Sequence, residues 1–307
     1  MDLSLSTDDG EIRFAAYVAT LSKVLGHADR VAPFRSYRTG LLLPGDRKSV
    51  EPMAVRVEPG RVRAAHQSLH HFVAKAEWPD ETVLAAVRAL VLPVIEQRGP
   101  VRAWMIDDTG VPKKGTHSVG VARQYCGQLG KQDNCQVAVT LSVANDHASL
   151  PLAHRLYLPK PWAEDPERRA RTGVPDDVTF QTKPAIALAQ IENALKAGVP
   201  PAIVLADAGY GVDTAFRDGL TGLGLRYVVG IQSSTSLWPP GEAPLPPKPW
   251  SGRGRKPKTL RRDDDHQPVP ARELATKPAP SRRRPMSRGG PRVRPKKVTI
   301  CPGETPP

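Results

Sequence analysis

Three aspartates have the type and spacing to do chemistry. Asp107 and Asp108 close the apolar run Val101–Ile106 in VRAWMIDDTG, and Asp207 closes the run AIVLAD, which is followed by AGYG. Carboxylates at the exit of a buried strand are held rigidly and lose water, so they either bind a cation or need a strong partner. If the two apolar runs are parallel neighbours, Asp107 and Asp207 emerge at one sheet edge, where open α/β sheets place their ligands. Two such acids plus a third from a later helix can hold two Mg²⁺ ions about 3.5–4 Å apart. One ion then activates water or a 3′-hydroxyl, and the other stabilises the leaving oxygen of a phosphodiester. Hard oxygen ligands suit magnesium, where His and Cys would suit zinc. Strand alternation sends Asp107 and Asp108 to opposite faces. Asp108 has an alternative role in the turn at Thr109-Gly110, and Asp207 as a helix N-cap.

The elements that must position these acids read as follows. Residues 1–98 are helical. Ser6-Thr7-Asp8-Asp9 caps a helix with apolar positions from Ile12 to Leu25, ended at Gly26. Further stripes run Phe34–Leu43, Val62–Val73 and Val83–Val94, with Pro93 kinking or ending the last. Helices this short must pack on one another, as in a small helical domain. After Arg98-Gly99-Pro100 the period becomes strand-like: Arg102–Asp107, Ser118–Tyr125, Cys135–Ala144 and Leu150–Leu158. A polar excursion, Pro159–Asp177, precedes a helix at Lys183–Lys196, the AIVLAD strand, a helix at Val212–Leu223 and a strand at Leu225–Ile231. This order specifies an α/β layer over residues 99–237, with 238–307 a Pro- and Arg-rich remainder.

Formal net charge is +13, but from Lys248 onward 17 Lys and Arg face 5 Asp and Glu, leaving 27 against 26 before it. The field that attracts polyanions therefore belongs to the C-terminal part. Cys126, Cys135 and Cys301 form no CxxC pair, which fits a reducing cytosol and idle or buried thiols. Neither a signal peptide nor a run of membrane-spanning length is present, so a soluble, cytoplasmic protein without a membrane partner is expected. His66, His70 and His71 lie at helical spacing but lack a partner carboxylate or Cys at ligand spacing, so they read as solvated or satisfied histidines. Lys113, Lys114 and Arg123 follow the first acid pair and can grip phosphates, as can Arg253, Arg255, Lys256 and Lys258 farther on. Tyr210 can stack on a base or cover the core.

IDDTG-x-PKKG, HSVGVARQYCGQLGK, LYLPKPWAED and LADAGYG, in that order, together with GLLLPGDRKSVEPMA near the N-terminus, resemble the DDE-type transposases of bacterial insertion sequences. The likeness is to the subgroup with a DDTG-x-x-KKG signature, and it covers roughly residues 10 to 275. It implies a ribonuclease H-like mixed sheet with flanking helices that cuts and joins DNA with Mg²⁺ or Mn²⁺, acting on element ends and target DNA as a multimer. Carried over, the catalytic and metal-binding acids are Asp107 and Asp207. Asp107 is preferred because it directly follows Ile106, and Asp108 stands as its alternative.

The resemblance also requires a third acid, a Glu on a helix after the LRYVVGI strand, and no residue fills that place. Glu192, Glu273 and Asp263–Asp265 are poor substitutes by position. KPAPSRRRPMSRGGPRVRPKKVTICPGETPP has no apolar period, so a chain frameshifted near Lys277 and ending in a disordered basic tail is expected. Two functions then compete: a transposase present in incomplete form, and a non-catalytic DNA-binding remnant that competes with a full-length enzyme. An aspartyl-phosphate phosphatase is disfavoured, since its acids stand one residue apart and these are adjacent.

Overall fold

The computed structural model describes residues 7–276 and 297–300; most of the expected basic tail lies outside the described residues. The chain divides into two compact units, Met1–Pro100 and Val101–Pro307. No described helix is long and apolar enough to cross a membrane.

The first unit is built from α1 (Thr7–Ser22), α2 (Val31–Leu42), α3 (Val50–Val57), α4 (Val62–Ala74) and α5 (Asp80–Glu96). Val18, Leu21, Leu25, Phe34 and Phe72 make one buried cluster, and Met53, Ala54, Ala65 and Leu69 make another. Most of the apolar stripe positions lie on the packed faces of these helices, although Ile12, Leu42, Val73 and Val94 are exposed; α3 is an addition that its shortness concealed. α5 runs on through Pro93 to Glu96. His66 and His70 stack with ring centroids 6.1 Å apart on the outer side of α4.

The second unit opens with β1 (Ala103–Pro112), β2 (Ala122–Cys126), β3 (Lys131–Ala144) and β4 (Ser149–Leu156). α6 (Lys160–Ala163), α7 (Pro166–Thr172) and α8 (Lys183–Lys196) follow, then β5 (Ile203–Ala206), α9 (Ala208–Gly211), α10 (Thr214–Gly222) and β6 (Tyr227–Gln232). β7 (Ser236–Leu237), β8 (Val269–Pro270), α11 (Ala271–Thr276) and β9 (Lys297–Ile300) complete the described elements. The main sheet runs β2-β3-β1-β5-β6-β9, with β4 on the far half of β3. β1 is antiparallel to β3 and parallel to β5, and β5 is parallel to β6, which makes the mixed ribonuclease H-like sheet.

Two expectations are corrected by this pairing. β1 does not stop at Asp107 but continues through Thr109 and Gly110 to Pro112, because β3 pairs with it over the whole span from Ala144 to Cys135. The second strand begins at Ala122; the preceding residues from Lys113 form a loop held by Asn134, whose Nδ2 donates to the carbonyls of Lys113 and Gly115 at 2.9 and 2.8 Å. The polar excursion after Leu158 holds α6 and α7.

One face of the sheet is the core. Trp104, Ile106, Val139, Leu141, Val143 and Val204 are each at most 3% exposed, and Ile186, Ala187 and Ile191 of α8 are equally buried. Burial of that extent stabilises by roughly 1.5–3 kcal/mol per large side chain. α8 packs on β3 and β4, and α10 packs on α8. The opposite face carries Met105, Asp107 and Thr109 on β1, Ala138, Thr140 and Ser142 on β3, and Leu205 on β5, all partly or fully exposed.

Candidate active site

Parallel register brings the two acids together. Ala103 to Ile106 pair in order with Ile203 to Ala206, so Asp107 and Asp207 are the next residues on adjacent strands, which lie about 4.8 Å apart. Both are exposed. They line one cleft of ≈ 540 Å³ with Asp108, Thr109, Gly110, Tyr125, Gly127 and Gln128. Alternation puts Asp107 on the open face with Met105, while Asp108 follows Trp104 and Ile106 toward the core side.

Each acid has a distinct set of partners. The Asp107 Oδ1 accepts the backbone N–H of Asp108 at 2.8 Å, and the Asp107 carbonyl accepts Thr140 Oγ1 at 3.0 Å. Asp207 caps α9, its Oδ1 accepting the Gly209 N–H at 2.8 Å. Asp108 instead accepts Lys183 Nζ on Oδ2 at 2.6 Å and the Tyr210 hydroxyl on Oδ1. Its carboxylate is thereby matched to a cation on the first turn of α8 and to a phenol on α9. The alternative role of Asp108 in a turn is not taken up, since Thr109 and Gly110 are strand.

Tyr210 is 2% exposed, which settles it as a core residue. Burial first, then its hydrogen bond to Asp108, then the charges of Asp108, Asp207 and Asp107 push its phenol well above the ordinary value. Lys183 Nζ also sits 5.5 Å from the centre of the Tyr157 ring.

Three glycines make this convergence possible. A Cβ on Gly211 would lie 1.9 Å from the Gly230 carbonyl, and one on Gly230 would lie 2.9 Å from the Ala208 nitrogen. The Asp207–Gly211 turn can therefore rest directly on β6. A Cβ on Gly110 would meet Cys126 Sγ at 3.1 Å and the Gly127 nitrogen at 3.3 Å, so the β2–β3 hairpin folds close against β1.

The residues named from sequence separate into two groups. Asp107, Asp108 and Asp207 meet in the cleft. Lys113 and Lys114 lie in the loop after β1, Arg123 on the exposed side of β2, and Arg253, Arg255, Lys256 and Lys258 on an exposed excursion; none lines the cleft. Tyr125, 61% exposed at the cleft wall, was missed, although the alternation of ARQYC with a buried Cys126 carries the signal. Lys183 and Tyr210 were missed as partners of Asp108.

The DDE superfamily endonuclease family matches residues 20–292. The chain belongs to that family. It is also similar to a probable transposase for insertion sequence element IS701 from Microchaete diplosiphon, 34% identical over 169 residues, which are 55% of this chain and 41% of that protein. The chain thus matches less than half the length of that relative. Enzymes of the DDE superfamily generally use divalent metal ions. Here the donor set fits one: Asp107 and Asp207 offer hard oxygens at one open lip, with cleft volume for water and phosphate oxygens to complete the coordination. Among the described residues no three His, Cys, Asp or Glu side chains group to hold a metal.

Proposed function

We propose that this DDE-family chain acts on DNA as an insertion-sequence transposase, with Asp107 and Asp207 as its metal-binding catalytic acids and Asp108 as their support. The observation that carries this reading is the register Ile106 to Ala206, which makes the two acids in-line neighbours at the carboxyl end of parallel strands. They would hold Mg²⁺ or Mn²⁺, which supplies Lewis-acid polarisation of a phosphoryl oxygen and a lowered pKa for the attacking water or 3′-hydroxyl. The chain's own residues orient and exclude. The Asp108–Lys183–Tyr210 group fixes the end of β1 against α8 and α9, so Asp107 keeps one direction. Tyr125 walls the cleft beside the acids, where a nucleoside flanking the scissile phosphate can rest on its ring. The basic residues outside the cleft hold the phosphate backbone. DNA ends and target, a multimeric assembly and a cytoplasmic location belong to the same proposal.

A second reading is favoured by one observation: among the described residues no three His, Cys, Asp or Glu side chains are grouped to hold a metal. In it the chain is an incomplete form that binds DNA and competes with full-length enzyme. The loss of apolar period after Lys277 supports incompleteness, whereas the family match continues to residue 292 and gives no support to a break at Lys277 itself. Resequencing the gene for a downstream frame with a Glu-bearing helix tests that point. The two functions separate in a cleavage assay on element-end DNA with Mg²⁺ or Mn²⁺. Cleavage abolished by Asp207→Asn supports the first reading; DNA binding without cleavage supports the second.

A further inference from the structure

Between β7 and β8 the chain makes a long excursion, residues 238–268, that is built as an arm. Its root is the antiparallel pair Ser236–Pro270 and Leu237–Val269. Midway, Leu245 and Arg261 exchange backbone hydrogen bonds at 3.0 and 2.9 Å, and Arg261 Nε donates to the Pro246 carbonyl at 3.0 Å. Pro244, Pro246, Pro247 and Pro249 fix φ along the outgoing limb on either side of this bridge. Beyond the bridge Trp250 Nε1 donates to the Gly254 carbonyl at 3.1 Å and closes a turn in which Gly252 and Gly254 have φ of 82° and 76°.

The charge on this arm is sorted. From Pro246 to Leu260 the residues Lys248, Arg253, Arg255, Lys256 and Lys258 are basic and none is acidic. Residues 251–260 are all exposed, and the five cations form no salt bridge among the described residues. The acidic triplet Asp263–Asp265 lies on the root side of the bridge, where the Asp263 carboxylate accepts the N–H groups of Asp265 and His266. Side chains added at Gly252 or Gly254 would meet nothing within 4 Å; it is the positive φ of the turn that calls for glycine there, and the tip is left narrow.

We infer that this tip, Gly252-Arg253-Gly254-Arg255 with Lys256 and Lys258 behind it, inserts into the minor groove of A·T-rich duplex DNA. The inference deepens the DNA reading above and rests on it. A minor groove about 6 Å wide excludes a helix 10–12 Å across but admits a single chain whose alternate residues lack side chains. A·T tracts narrow the groove and strengthen its negative potential, which draws in cationic side chains such as the two arginines at the tip. Lysines at 256 and 258 then reach the flanking phosphates without regard to sequence.

The test compares the full chain on two duplexes of equal length, one A·T-rich and one G·C-rich, by fluorescence anisotropy at one salt concentration. The basic residues after 277 add affinity to both duplexes alike, so the readout is the ratio of the two dissociation constants. The expected result is a preference for the A·T duplex of about tenfold, lost in Arg253→Ala/Arg255→Ala and lost when netropsin fills the groove. Lys256→Ala/Lys258→Ala should weaken both duplexes equally and leave the ratio intact. The tip is exposed, so both double variants should melt with the wild type. Equal binding of the two duplexes, or a preference that survives the arginine variant, overturns the inference while the DNA reading stands. No binding to either duplex overturns both.

Discussion

Tyr210 and Asp108, 102 residues apart in the chain, are joined by a hydrogen bond from the phenol to the carboxylate, whose other oxygen takes Lys183 Nζ. Three elements, β1, α8 and α9, are thereby pinned directly behind the pair Asp107 and Asp207. The adjacent aspartates have been given different work by one-residue alternation. Asp107 faces the cleft, and Asp108 faces the fold.

Tyr210→Phe tests the structural half of this division. The substitution keeps the buried ring and removes one hydrogen bond to a charged group, a cost of about 1.5–3 kcal/mol. Urea denaturation should show a lower midpoint with an unchanged slope. The pH dependence follows from the raised phenol pKa. Below the ordinary value of 10.0 the phenol is protonated in folded and unfolded chains alike, so its contribution is fully present. Above it the unfolded chain releases a proton that the folded chain keeps, and stability falls as pH rises. Part of that alkaline loss should vanish in Tyr210→Phe; an identical pH profile in both proteins would contradict the buried, carboxylate-bound phenol.

Asp207→Asn and Asp108→Asn should fail in different ways. Asn caps a helix as well as Asp, so Asp207→Asn should melt with the wild type while losing Mn²⁺ binding and cleavage. Losing a group one shell from a metal costs 10–100-fold, so loss of the ligand itself should exceed about 100-fold. Asp108→Asn strips the charge partner from Lys183 and should lower the melting midpoint, with cleavage reduced by about 10–100-fold through misdirection of Asp107. If Asp108→Asn proved as dead as Asp207→Asn yet fully stable, Asp108 would be the ligand.

The parts of this arrangement that were legible in the sequence are those with a local signature. AIVLAD and VRAWMI read as strands because a parallel strand buried on one or both faces is a near-continuous apolar run, and the acids at their ends followed. The helix at Lys183–Lys196 was found from its period; the structure adds its cap, Thr182, whose hydroxyl accepts the Ala185 N–H. What was illegible depends on distant partners. Thr109-Gly110 has the composition of a turn and becomes strand because β3 is long enough to pair with it. Lys183 looked like the start of a helix, and nothing within its own segment marks Asp108, 75 residues earlier, as its partner. Tyr210 stood evenly between base stacking and core until Gly211 and Gly230 were seen to let its turn settle onto β6.

Gly211→Ala should be severe. Its Cβ would overlap the Gly230 carbonyl at 1.9 Å and the Val229 side chain at 2.9 Å, so backbone on one side must move. Overpacking of this kind costs about 1–3 kcal/mol or more, and the displaced segment is the one that carries Asp207. Both the melting temperature and cleavage should drop. Gly222→Ala, in α10 with nothing within 4 Å of the new methyl, is the control and should be neutral or stabilising by about 0.4–1 kcal/mol.

Tyr125→Ala probes the cleft wall. The ring is 61% exposed and contributes little to the core, so thermal melting should be unchanged. Stacking of one base on an aromatic ring is worth about 1–3 kcal/mol, and a nucleoside held there would be lost from the bound substrate. The expected result is a KM raised by roughly tenfold for DNA carrying a single-stranded flank beside the cut, with a smaller change for blunt duplex. Tyr125→Phe retains the ring and should restore the wild-type KM. A KM unchanged in Tyr125→Ala on both substrates would remove Tyr125 from the substrate path and leave the three aspartates to carry the proposed chemistry of the cleft.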